Sequence, residues 1–212
     1  MEWILLLGLS FAIFFGYEAW KKKSALPGGE KSLIGNKSQN FDKGELRIEN
    51  VQKGGVIHLT GVGADMEDFD LTVLSKHTYR EGEYSWYELE VDRGDKKMWL
   101  NYEEDDELLI SIKINQLKLR EIGLKKSDLD EIDEAEEGEF SYKGKKYFYE
   151  DSGTAIFYRH SLDDNAESFD YWEFETEKGD HLMSVESWGG EIEVTESIPL
   201  KATQLTIYSL QT

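Results

Sequence analysis

Apolar positions in this chain fall into short runs with a two-residue alternation, and after residue 50 that pattern predicts strands nearly throughout. Residues 56–60, 69–77, 86–91, 98–102 and 108–114 read as five strands bounded by Gly, Asp or Glu. A second set follows at 140–142, 147–149, 155–160, 171–176, 182–186 and 192–195, with 205–210 as a last strand that closes the fold. Asp92-Arg-Gly-Asp95 and Glu177-Lys-Gly-Asp180 are tight-turn sequences that join the third and fourth strands of each set. Between the sets, residues 127–137 open on Ser127, an N-cap type of residue, and carry acid in the first turn, which predicts a short helix.

The two sets repeat each other. At an offset of 83, Gly55, Ile57, Leu59 and Gly61 fall on Gly138, Phe140, Tyr142 and Gly144, while Val73, Leu74, Lys76 and His77 fall on Ile156, Phe157, Arg159 and His160. At 85, residues 87–95 meet residues 172–180, and at 83 again residues 99–103 meet 182–186. The expected fold class is all-β and mainly antiparallel. It consists of two similar five-stranded meander or open-barrel halves in a pseudo-twofold pair.

Residues 3–17 carry no charge, and the apolar run reaches Trp20 with Glu18 as its one interruption before Lys21, Lys22 and Lys23. As a helix this run spans about 27 Å, enough to cross a hydrocarbon core with slight thinning. Trp3, Tyr17 and Trp20 stand where an aromatic belt would meet the two interfaces. A cleaved signal peptide needs a basic stretch before the run and a small-x-small site after it, and neither is present. The lysines after the run place the body of the protein in the cytosol and the N-terminus outside. The expected organisation is an anchor at 1–23, a Gly- and Lys-containing tether at 24–45, a first β half at 46–126, an acidic linker at 127–137 and a second β half at 138–212.

Charge sharpens this picture. The chain has a net charge of -20, but residues 54–212 hold 16 Lys and Arg against 38 Asp and Glu, whereas residues 21–53 hold eight against four. So acidic a body repels nucleic acid phosphates and attracts cations, polyamines or basic partner surfaces. With no cysteine, thiolate metal sites, disulfides and cysteine nucleophiles are excluded.

Candidate chemistry is sparse. His58, His77, His160 and His181 each lie beside a strand pattern and read as ordinary strand residues, although His77 and His160 are equivalent in the repeat. The acidic runs at 103–107 and 128–139 lack the spacing of a calcium loop. There is no phosphate-binding glycine loop, dinucleotide fingerprint or nucleophile elbow, so no enzyme and no cofactor is expected. What recurs is an aromatic-acid pairing. Trp86 and Glu88 correspond to a counterpart containing Trp172 and Glu173, and Trp99 with Glu103, and Glu186 with Trp188, lie one hairpin further on. If these rings stay exposed beside their carboxylates, the halves form a groove that attracts cationic groups by charge and by cation–π contact.

Tyr84-Ser-Trp-Tyr-Glu-Leu with Trp99-Leu-Asn-Tyr-Glu-Glu-Asp, Tyr142-Lys-Gly-Lys-Lys-Tyr147, Tyr171-Trp-Glu-Phe and Met183-Ser-Val-Glu-Ser-Trp-Gly-Gly190 together resemble a bacterial family, domain of unknown function 4178, over about residues 50–208. The resemblance implies a place in membrane-stress or defence gene neighbourhoods and carries no catalytic residues. The resulting expectation is a non-enzymatic, membrane-tethered module of the bacterial inner membrane that recruits cytosolic or membrane protein partners. A small-cation sensor binding polyamine or a divalent metal between the halves is the alternative, and a polyamine or a basic peptide would suit the aromatic-acid groove.

Overall fold

The structure, a computed structural model, describes residues 44–211 apart from 64, 105–107, 161 and 163–165. The expected membrane anchor, most of the tether and residues 105–107 of the first acidic run lie outside the described residues. Among the described residues no helix is long and apolar enough to cross a membrane.

The fold is all-β and antiparallel. Its strands are β1 (Val56–Val62), β2 (Glu67–Glu81), β3 (Tyr84–Asp92), β4 (Lys97–Glu104), β5 (Leu108–Leu117), β6 (Glu139–Tyr142), β7 (Lys145–Tyr158), β8 (Ala166–Thr176), β9 (Leu182–Trp188), β10 (Glu191–Leu200) and β11 (Leu205–Ser209), with the helix α1 (Lys126–Ala135) between β5 and β6. They form one sheet in the order β11-β1-β2-β3-β4-β5-β10-β9-β8-β7-β6. A further pairing of β2 with β7, through Thr78↔Tyr158, Tyr79↔Phe157 and Arg80↔Ile156, brings eight of these strands round into a ring. The last strand, expected to close the fold, instead pairs with β1 at one margin of the sheet, and it is the β2–β7 pairing that closes the ring.

Alternation along the strands sends side chains to two kinds of place. Leu89 and Val91 of β3, Leu100 of β4 and Ile112 of β5 pack outward from the ring against Ile57, Leu59, Ile207 and the short 3-10 turn Ile48–Asn50. On the other side, Phe174 of β8, Met183 and Val185 of β9 and Val194 of β10 pack against Leu129 and Ile132 of α1 and Phe140 of β6. Each core is therefore roofed by its own chain neighbours. The opposite faces of the same strands, rich in Glu, Ser and Thr, turn toward the middle of the ring. Leu129 is fully buried, and Leu129→Ala is expected to cost about 2–5 kcal/mol through lost contact and an unfilled cavity, read as a lower urea midpoint with an unchanged slope.

Two local expectations are corrected. Residues 147–149 and 155–158 of the two expected strands belong to the single strand β7, which ends at Tyr158; a register irregularity between Tyr149 and Asp151 accommodates the Asp151-Ser152-Gly153 stretch that reads in sequence as a break. Ser152 is held there by Tyr149 Oη at 2.9 Å and by donating to Asp133 of α1 at 2.5 Å. Ser127 does not cap α1: the helix starts one residue earlier, and the Lys125 N–H donates to Asp128 Oδ2 at 2.8 Å. The Asp92–Asp95 turn forms as expected, with Gly94 at φ 99° and its N–H donating to Asp92 Oδ1 at 2.8 Å.

Candidate functional site: an acid-lined lumen

All eight strands of the ring contribute to one cavity. Its wall includes Tyr79, Trp86 and Glu88, then Ser111 and Lys113, and across the ring Glu150, Tyr171, Glu173, Glu175, Glu186 and Ser197. The cavity is narrow, with a volume of about 50 Å³, room for a few water molecules. Eight-stranded rings have an interior that is either filled by side chains or just wide enough for one small ligand.

One end of the lumen is aromatic. Tyr79, Phe169 and Tyr171 pack with Trp86, Phe157 and Trp188. Trp86 stacks on Tyr79 at 5.4 Å between ring centroids, and Trp188 stacks on Phe169 at 4.2 Å. Tyr171 donates to Glu81 Oε2 at 2.6 Å. Gly153 makes that bond possible, because a Cβ there would lie 2.7 Å from Glu81 Oε1 and 2.9 Å from the Tyr171 hydroxyl.

The middle is ionic. Lys113 Nζ lies 2.5 Å from Glu88 Oε2, and Tyr79 donates to Glu88 Oε1 at 3.3 Å. Trp188 Nε1 donates to Glu186 Oε2 at 3.0 Å. Burial works to discharge the Lys113 ammonium, but Glu88, Glu186 and Glu193 outweigh it and hold its pKa above the ordinary lysine value. Glu186 is pushed up by burial, and Lys113 opposes that push.

On the opposite wall the balance differs. Burial first, then the nearby carboxylates of Glu103, Asp151, Glu186 and Glu175, raise Glu173 to about 8. Burial, helped by Glu150, raises Glu175 to about 7. Glu175 is only 3% exposed, and neither of its carboxyl oxygens has a hydrogen-bond partner. A buried carboxylate left this way costs several kcal/mol unless it is protonated or meets a cation.

Of the residues singled out in sequence, Trp86, Glu88, Glu173 and Glu186 line the cavity together, and Trp188 packs into its aromatic end. Glu103 is buried and accepts a hydrogen bond from the Tyr84 hydroxyl, close enough to act on Glu173. Two tryptophans lie elsewhere. Trp172 turns to the other face of β8 and is buried in the core over α1, because alternation opposes it to Glu173. Trp99, 36% exposed, pairs with Glu90 on β3 and is absent from the cavity wall. Sequence reading missed Lys113, Tyr79 and Glu175. The signal for Lys113 was a single charge inside the apolar run of β5; that for Glu175 was its place two residues after Glu173 on the same strand face.

The histidines have local partners. His58 Nδ1 lies 2.7 Å from Asp70, and His181 Nδ1 lies 2.9 Å from Glu196, a buried carboxylate that also accepts from Tyr147 and Asn115. His77 contacts the Arg159 carbonyl and Ser75 Oγ, with the His160 ring at 5.8 Å. Among the described residues no three His, Asp or Glu side chains are arranged to hold a metal ion.

No curated protein and no solved structure matches this chain. A family model does, over residues 62–202, a span that contains all eight strands of the ring. With that match covering more than half of its length, the chain belongs to the family described as domain of unknown function (DUF4178).

Proposed function

We propose that the domain is a non-catalytic receptor for a small organic cation of the polyamine class, bound in the lumen between its two halves. The observation that carries this reading is Glu175: a buried, unpartnered carboxyl in the wall of a cavity that also holds Glu173, carboxylates across the ring and aromatic faces at one end. Ammonium groups satisfy carboxylates by charge-assisted hydrogen bonds, and methylene chains pack on aromatic faces. A bare divalent ion suits the site less well, since the described carboxylates do not converge on one point. A basic peptide is too bulky for the lumen.

The duplication supports the same reading. Positions paired by the repeat pair again in the cavity wall: Trp86 with Tyr171, Glu88 with Glu173, and Asn101 with Ser184. We read the strands β1–β5 and β6–β10 as the two similar halves and the lumen as their shared polar interface. The charge asymmetry of the sequence supports the rest of the proposal, a helix at residues 3–20 that holds the domain on the cytosolic side of the bacterial inner membrane, where ligand occupancy alters recruitment of partner proteins.

Titration calorimetry of the full chain in detergent tests the reading. Spermidine and putrescine are expected to bind, Ca²⁺ and Mg²⁺ at the same concentration to give little heat, and Glu173→Gln to weaken amine binding by roughly tenfold or more. Absence of amine heat at millimolar concentration would overturn the proposal.

A further inference from the structure

Two carboxylates of the lumen, and a third beside it, share one cation that is built into the chain. Lys113 reaches in from β5 to Glu88 on β3, and Glu186 and Glu193 act on the same ammonium. Glu186 and Glu193 are direct cross-strand partners of β9 and β10, an arrangement that is destabilising for two like charges unless a cation lies near. The lysine is committed to this side. Around the ring, Lys113 is level with Ser197, Leu182 and then Glu175, three strand spacings or roughly 14 Å away along the sheet, yet its amine turns to Glu88.

The other side has a different demand. Glu173 and Glu175 lie two residues apart on one face of β8, so they are about 7 Å apart along the strand, a separation that the two amino groups of a putrescine-length diamine span. Glu175 offers two unpartnered, buried oxygens. The charges that bear most on Glu173 are those of carboxylates.

We infer that Lys113 is a resident ammonium that fixes the valence of the ligand: the native lumen takes a diamine along Glu173 and Glu175 and rejects a third amino group at Glu88 and Glu186, where Lys113 already sits. This inference rests on the cation-binding reading above and adds to it a specificity-determining residue. The third ammonium of spermidine meets Lys113, and the like charges cost binding energy. Removing the lysine head group leaves Glu88 and Glu186 as a second carboxylate site on the lumen wall.

Calorimetry of putrescine and spermidine against the full-length native chain, Lys113→Met and Lys113→Arg tests this. The native chain is expected to bind putrescine more tightly than spermidine. Lys113→Met is expected to shift the ratio of the two affinities toward spermidine by roughly tenfold or more, and Lys113→Arg, which keeps the charge, to hold the native ratio. An unchanged ratio in Lys113→Met overturns the inference. Should that variant fail to fold, the native chain decides alone: tighter binding of spermidine than of putrescine overturns it. If neither amine binds the native chain, the cation-binding reading fails and this inference with it, whereas amine binding with an unchanged ratio removes the inference and leaves the receptor.

Discussion

At pH 7 the Lys113→Met protein is expected to unfold with a free energy about 3–5 kcal/mol below that of the native chain. The lysine ammonium is enclosed by the lumen and lies 2.5 Å from Glu88 Oε2. Its removal strands a carboxylate that is 5% exposed, and it takes away the one described charge that opposes the Glu186–Glu193 pairing across β9 and β10. The double variant Lys113→Met with Glu88→Gln is expected to recover part of the loss, because both members of the pair leave together and no net charge is left buried at that point. Urea titrations of the two single variants, the double variant and the native chain measure the coupling. Simple additivity would mean that the pair contributes nothing as a pair.

The second large effect is on pH. In the folded chain Glu173 titrates at about 8 and Glu175 at about 7, whereas both start from 4.5 as free side chains. Between 4.5 and 8 the folded protein therefore holds protons that the unfolded chain has already released, so stability falls as pH rises through that window. Below 4.5 both states are protonated and the penalty disappears; above 8 it is fully present. Residual solvent contact of Glu173 reduces the size of the effect, which is expected to be on the order of 3 kcal/mol for the two groups together. In a thermal scan this is a fall of several degrees in Tm between pH 5.5 and pH 8.5. The double variant Glu173→Gln with Glu175→Gln is expected to flatten the profile, and putrescine is expected to restore Tm at pH 8.5 in the native chain. A native profile that is level or rises across the window would contradict the assignment of these two groups.

Much of the fold was legible because alternation is a local signal. The β3 run Trp86-Tyr-Glu-Leu-Glu-Val91 places Leu89 and Val91 on one face and Glu88 and Glu90 on the other, and the structure keeps that division. The same logic concealed the site. An alternating acid face reads as a face in water, and nothing local to β3 or β8 says that the two acid faces meet each other inside a ring. That information sits in the β2–β7 and β5–β10 pairings, which join residues 78–80 to 156–158 and 110–117 to 194–200. Trp172 was misplaced for a related reason: the repeat aligned it with Tyr87, and Tyr87 itself packs against the first core while Trp86 turns to the cavity. Taking alternation together with the repeat would have selected Trp86 and Tyr171 as the equivalent rings. Strand β7 was split because Asp151-Ser152-Gly153 is turn-like in composition, whereas the hydrogen bond that Ser152 donates to Asp133 of α1 and the one it accepts from Tyr149 hold it in the strand.

Nuclear magnetic resonance of the chain labelled at glutamate carboxyl carbons and tryptophan indole nitrogens locates the ligand most directly. On addition of putrescine, the carboxyl signals of Glu173 and Glu175 and the indole signals of Trp86 and Trp188 are expected to shift together along one saturating curve, while Trp172 and the surface glutamates stay in place. Shifts spread evenly over surface glutamates, or no shift at Glu175, would contradict an occupied lumen.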